Sequence, residues 1–214
     1  MLEKKVEYDN YTYPILVQAS AIRLCETEGR EIHNHVLKLG FDSDVYVRNT
    51  LINMYCVCGN MSSARRVFDC GLVLDSVSWN SILAGYIQIG DVELSKVIFD
   101  QMPVRNVIIS NSMILLFGKK GRVSDARGFF DSMSERDMVT WSAMVSCYEQ
   151  NGEGLLLFSQ MNNEGVMVDE VVMVSVLSVC KSLDAIKEGK LIHGRVLQMG
   201  IESYVNCHAP KSTF

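Results

Sequence analysis

The chain has 214 residues, 48% of them hydrophobic and 21% charged, enough apolar surface for a packed core and too little charge for a disordered polymer. Its formal net charge of −5 supplies no global field for a polyanion, so any nucleic-acid contact has to come from local groups. Seven cysteines, an odd and scattered set without one C-x-x-C, compose neither a disulfide framework nor a four-ligand zinc site, and no run approaches the ~18 apolar residues of a membrane-spanning helix.

In chain order, residues 1–9 form a lead-in with neither the apolar core of a secretory signal nor the Arg/Ser-rich make-up of a transit peptide. From residue 10 the chain is periodic. GNMSSARRVFD at 59–69 returns as GDVELSKVIFD at 90–100 and as GRVSDARGFFD at 121–131, in steps of 31 residues. The same step relates Asn49, Asn80, Asn111 and Ser142, and again Tyr55, Tyr86, Phe117 and Tyr148; Trp79 and Trp141 lie two steps apart. A longer type of repeat flanks the set, its Glu31-Ile32-His33 and Gly40 matching Leu191-Ile192-His193 and Gly200. Three prolines and no Gly/Ser-rich run argue for a continuous body without linkers.

Within one repeat, apolar residues at 77, 79, 82, 83, 86 and 87 predict a helix over 77–89 with one buried stripe. Gly90 follows where a positive φ is needed, and Asp91 stands as the N-cap of a second helix over 92–102, whose Leu94, Val97, Ile98 and Phe99 make its apolar face. Each repeat is thus a helical hairpin. One hairpin cannot bury its stripes alone, whereas stacked hairpins bury them on each other, so the fold class is all-α, a solenoid of helix-turn-helix repeats. The recurring aromatics, including Phe68, Phe99 and Phe130, read as core, and His33, His35 and His193 as packing or surface residues rather than ligands.

The stretches SVSWNSILAGYIQIGDVELSKVIFDQMP and MVTWSAMVSCYEQNGEGLLLFSQM resemble the pentatricopeptide repeats of plants, and the mixture of shorter and longer repeats is similar to the PLS subclass. The resemblance covers residues 10–204, divided as 10–44, 45–75, 76–106, 107–137, 138–169 and 170–204, with an irregular tail over 205–214 that suggests a truncated chain. A tetratricopeptide-type array is the rival, but its period is about 34 residues.

The resemblance implies a right-handed superhelical solenoid of helix-turn-helix repeats, with single-stranded RNA as the partner, one base per repeat, read by the fifth and last residues of each repeat. Carried over residue by residue, the base-binding pairs are Asn49/Asp75, Asn80/Asn106, Asn111/Asp137 and Ser142/Asp169, with Tyr46, Val77, Ile108 and Val139 stacking beside them. Within that resemblance Asn/Asp favours U, Asn/Asn favours C and Ser/Asp favours G, which gives a core of 5′-U-(C or U)-U-G-3′. A carboxamide or hydroxyl can pair with a Watson–Crick edge while a neighbouring side chain lies on the ring. The same residue types are ordinary helix caps, so capping is the competing reading. Pro14/Asp44 and Val174/Tyr204 of the long repeats carry no code.

One repeat departs from the pattern. Gly152 and Phe158 are closer together than the glycine and phenylalanine of the other repeats, which predicts a shortened second helix there. No His-x-Glu, C-x-x-C or phosphate-cradling glycine loop is present, so no catalysis and no metal or cofactor is expected. The resemblance implies an RNA-recognition part in organellar processing or C-to-U editing, with editing or processing factors acting in trans, no membrane contact, and a mitochondrial address ahead of a chloroplast one. A helical protein-interaction scaffold is the alternative, favoured by the acidic balance, and a non-functional fragment is the third.

Overall fold

The computed structural model describes residues 9–151. The expectations for the lead-in, Asp169, Val174, His193, Tyr204, the shortened helix after Gly152, the last long repeat and the tail fall outside those residues. By internal packing the chain divides into two compact units, residues 1–105 and 106–214, within one residue of the expected boundary between two repeats.

The first unit holds α1 (Thr12–Ile22), α2 (Glu26–Leu39), a 3-10 turn (Phe41–Ser43), α3 (Val45–Val57), α4 (Met61–Asp69), α5 (Ser76–Ile89) and α6 (Val92–Gln101). The first helices of its hairpins, α1, α3 and α5, pack on one another in sequence. Each also packs on its own second helix, and α2 and α4 reach the first helix of the following hairpin. In the second unit α7 (Val107–Lys119) packs on both α8 (Val123–Asp131) and α9 (Met138–Gln150). Among the described residues the structure is all-α, a helical-repeat solenoid fold of helix-turn-helix hairpins.

The period of the sequence is also the period of burial. Leu51, Ile82, Met113 and Met144 are fully buried at one position of the first helices, and Ile52, Leu83, Ile114 and Val145 at the next. Each such side chain contributes about 1.5–3 kcal/mol by leaving water. Tyr55, Tyr86 and Phe117 are buried too, and their carbonyls accept the N–H of Asn60, Asp91 and Arg122 at 2.9, 3.0 and 2.9 Å. That bond closes each first helix through a left-handed glycine: Gly59, Gly90 and Gly121 have φ of 78°, 74° and 71°.

Two expected faces are corrected. Val77 is not part of the α5 stripe, because it stands at the very start of the helix, where it projects outward; Ser78 is buried instead. On α6 the buried face is Val92, Ser95, Ile98 and Phe99, while Leu94 and Val97 remain exposed. The α6 face that packs on α5 takes Ser95 because its hydroxyl is satisfied within the helix, donating to Asp91 O at 2.6 Å.

The second helices end on a device that repeats. Arg105 donates to the Phe99 and Asp100 carbonyls at 3.1 and 2.8 Å, and Arg136 to those of Phe130 and Asp131, both at 3.1 Å. Each guanidinium lies over the ring of that phenylalanine, at 4.9 and 4.7 Å. A cation on the last carbonyls of a helix meets its negative end and satisfies orphan acceptors. His33, read as packing, meets the Tyr55 hydroxyl at 2.9 Å.

Cys56 is buried between α3 and α5, and burial pushes its thiol up to about 12. It faces Gly85, where a Cβ would lie 2.5 Å from Cys56 Sγ and 2.8 Å from two atoms of Met61. Gly85→Ala is therefore expected to destabilise the chain by about 1–3 kcal/mol through overpacking, despite the helix propensity of alanine. In a Cys56→Ala background the cost should be smaller, read as a non-additive shift of the urea midpoint; strict additivity would show that the contact does not limit the approach of α3 and α5.

Candidate nucleic-acid interface

A helix leaves its first N–H groups without partners. In α3, α5, α7 and α9 the residue just before the helix supplies the missing acceptor. Asp44 accepts from the N–H of Tyr46 and Val47 at 2.8 and 3.1 Å, Asp75 from Ser78 at 2.8 Å, Asn106 from Ile109 at 2.9 Å and Asp137 from Thr140 at 2.8 Å. The expected last residues of three repeats, Asp75, Asn106 and Asp137, are thus N-caps of the first helices that follow them.

Capping does not exhaust these groups. The Asn49 carboxamide donates to both oxygens of Asp75, at 3.0 and 3.2 Å, and that of Asn111 reaches Asp137 Oδ1 at 3.5 Å. The structure therefore joins two of the expected pairs through side-chain bonds. Asn49 and Asn111 are only 6% and 5% exposed, whereas Asp75 and Asp137 remain at the surface. Asn80 and Ser142 are half-buried on α5 and α9; Asn80 and Asn106 fall in different compact units, and Asp169 is outside the described residues.

Beside each cap the second residue of the repeat is apolar and turned outward: Tyr46, Val77, Ile108 and Val139 are 62%, 52%, 75% and 61% exposed. One exposed apolar side chain is ordinary, but four at one position of successive first helices are a pattern.

The carboxylates are held in their charged form. Burial pushes Asp75 up, but bonds from the Ser78 N–H, the Asn49 amide and the Ser78 hydroxyl outweigh it, and its carboxyl titrates below the usual range. The Thr140 hydroxyl and N–H lower Asp137 in the same way, and the Asn10 amide, at 3.1 Å from Asp44 Oδ2, lowers Asp44. The long repeat thus also places an asparagine on its cap, but it is Asn10; Pro14 is buried in α1. Arg48 is buried, its guanidinium bound to the carbonyls of Val73 and Asp42 at 3.1 and 2.8 Å, so it braces the loop before α5. Among the described residues no group of three His, Cys, Asp or Glu could hold a metal ion.

Three participants were not singled out from the sequence. Ser78 and Thr140 look like interchangeable small polar residues near a helix start, and their offset of two steps is the one available signal. Asn10 precedes the first recurrent segment.

The family model described as the PPR repeat matches residues 46–70, 77–107, 108–138 and 139–166, more than half of the chain. A pentatricopeptide repeat-containing protein of Arabidopsis thaliana, At4g21065, is 29% identical over 199 residues, covering 92% of this chain and 23% of its own length. The Arabidopsis thaliana pentatricopeptide repeat-containing protein CRR2, chloroplastic, is 28% identical over 207 residues, covering 92% of this chain and 22% of its own. The chain spans about a fifth of the length of these relatives. Among solved structures, that of the pentatricopeptide repeat protein PPR10 from maize superposes with a TM-score of 0.73 at 21% identity, over 93% of this chain and 30% of that one. PPR10 in complex with an 18-nt psaJ RNA element gives 0.71 at 18% identity, over 94% and 32%.

The pH dependence follows from the caps. Their carboxyls titrate lower folded than unfolded, so their stabilisation is complete above the unfolded carboxylate value of about 4 and is lost as pH falls through the depressed native values. Melting temperature should fall steeply below about pH 4, and Asp137→Asn, which keeps a capping side chain without a titrating group, should flatten that fall. Identical pH profiles for the two proteins would show that this cap contributes nothing to acid unfolding.

Proposed function

Because this chain belongs to the pentatricopeptide-repeat family, we propose that it binds single-stranded RNA at the N-terminal ends of its first helices, one base per repeat. The observation that carries this reading is the recurrence, at Asp44, Asp75 and Asp137, of a cap that receives an asparagine carboxamide and stands beside an exposed apolar side chain, Tyr46, Val77 or Val139. In this reading Tyr46, Val77, Ile108 and Val139 lie on base faces, and Asn49/Asp75 and Asn111/Asp137 meet base edges. Asn80/Asn106 and Ser142/Asp169 are carried by the resemblance alone. The solved structure of PPR10 in complex with an 18-nt psaJ RNA element supports RNA as the ligand of this fold.

The core read is 5′-U-(C or U)-U-G-3′. A net charge of −5 makes stacking and edge contacts, rather than phosphate neutralisation, the source of affinity. At about 1–3 kcal/mol per stacked base, four bases are marginal against the entropy of ordering a strand, so the chain in isolation binds weakly. The role is recognition within organellar RNA processing or editing, with the chemistry supplied in trans. The address is organellar; relatives whose names include "chloroplastic" favour the chloroplast over the mitochondrion.

Selection from a randomised RNA library tests the reading. The chain should enrich a U-rich core, and Asn49→Thr should move the preference at one position from U toward G while leaving the others. Enrichment of no sequence, or of one that Asn49→Thr does not move, overturns base reading and leaves a protein-binding scaffold.

A further inference from the structure

The two asparagines assigned to the same base are not chemically alike. Ser78, fully buried as the third residue of its repeat, has its hydroxyl 2.6 Å from Asn49 Oδ1. Asp75 Oδ1, at 2.9 Å, is the second acceptor within reach of that one proton, and the Asn49 carbonyl is nearer. With its amide on both Asp75 oxygens, the Asn49 carboxamide is bonded at both ends and its orientation is fixed.

Thr140 holds the same register position two repeats on and is equally buried. Its hydroxyl faces the other way: it donates to Asp137 Oδ1 at 2.7 Å and accepts the Asp137 N–H at 3.2 Å, completing a capping box. Asn111 is left with one long bond to Asp137, and its buried Oδ1 accepts no hydrogen bond from any described residue. A buried acceptor without a donor is costly, and a donor that arrives with a ligand relieves that cost.

We propose that the third residue of the following repeat is a positioning residue for base reading, fixing whether the asparagine carbonyl is occupied from within, as Ser78 does for Asn49, or left short of a donor that a base N–H supplies, as Thr140 leaves Asn111. The inference rests on the RNA-binding reading above. It makes repeats 45–75 and 107–137, which share an Asn/Asp pair, unequal in their dependence on a donor at the base edge. The ligand group that fits Asn111 is a ring imino or exocyclic amino N–H.

The test uses the whole chain with an RNA carrying the U-C-U-G core and N3-methyluridine, which lacks the imino N–H, at one or the other U. The added methyl is the same in both places, so its bulk is internally controlled. The penalty at the U of repeat 107–137 should exceed that at the U of repeat 45–75 by about tenfold, the scale of one unsatisfied acceptor. Ser78→Ala, which frees the Asn49 carbonyl, should bring the second penalty up toward the first. A second arm needs no RNA: the side-chain amide protons of Asn49 should exchange more slowly than those of Asn111, and Ser78→Ala, which releases the carbonyl end while the Asp75 bonds remain, should speed the Asn49 exchange and narrow the difference. Equal methyl penalties in the unaltered chain, or an Asn49 amide whose exchange Ser78→Ala does not speed, overturns the proposal. Absence of any RNA binding overturns the reading beneath it, while the exchange arm still decides whether Ser78 holds Asn49.

Discussion

The hydrogen bonds at the start of each first helix are the interaction on which the rest of the structure depends. A helix entering at a repeat junction must satisfy its leading N–H groups, and a side chain one residue upstream does so at α3, α5, α7 and α9. At Asp75 and Asp137 the same carboxylate also receives an asparagine amide from the preceding first helix. One group thereby terminates a loop, starts a helix and ties one hairpin to the next. Since the cap has to stand at the helix end, it also stands at the surface, and the next residue but one is carried outward with it. A structural requirement thus sets a polar edge beside an outward apolar side chain at the start of each of these helices.

Much of this was legible in the sequence because the period is strict. The bounds of α5 and α6 to within one residue, the positive φ of Gly90 and the cap at Asp91 follow from spacing and residue type. Spacing does not tell which apolar residue of a short helix faces inward, since that depends on where neighbouring helices end; hence Val77, Leu94 and Val97 turned outward against expectation. Nor could it show Arg105 and Arg136 closing the second helices: one arginine before a cap looks like a solvated charge until its carbonyl partners are placed. The direction of a hydroxyl, on which Ser78 and Thr140 differ, is decided by competing acceptors within ~3 Å of each other, below anything residue spacing can encode.

The cysteines show the same logic from the other side. Cys56 and Cys58 catch the eye as a pair, yet Cys56 is a small apolar filler against Gly85 with its thiol held protonated by burial. In the next repeats but one its place is taken by Gly118, which a Cβ could not enlarge without meeting the Cys147 backbone at 3.0 Å. The first helices approach closely, and either partner in the pair can be the small one. Chemistry at this position would work against packing.

The most direct measurement is a titration of the chain with a single-stranded RNA containing U-C-U-G, followed through the side-chain amide resonances of Asn49 and Asn111 and the backbone N–H of Val77 and Val139. Base reading at the caps predicts that these signals move together, while those of α4 and α6 stay in place. Movement confined to α4 and α6, with the two asparagine amides unshifted at saturation, would contradict it.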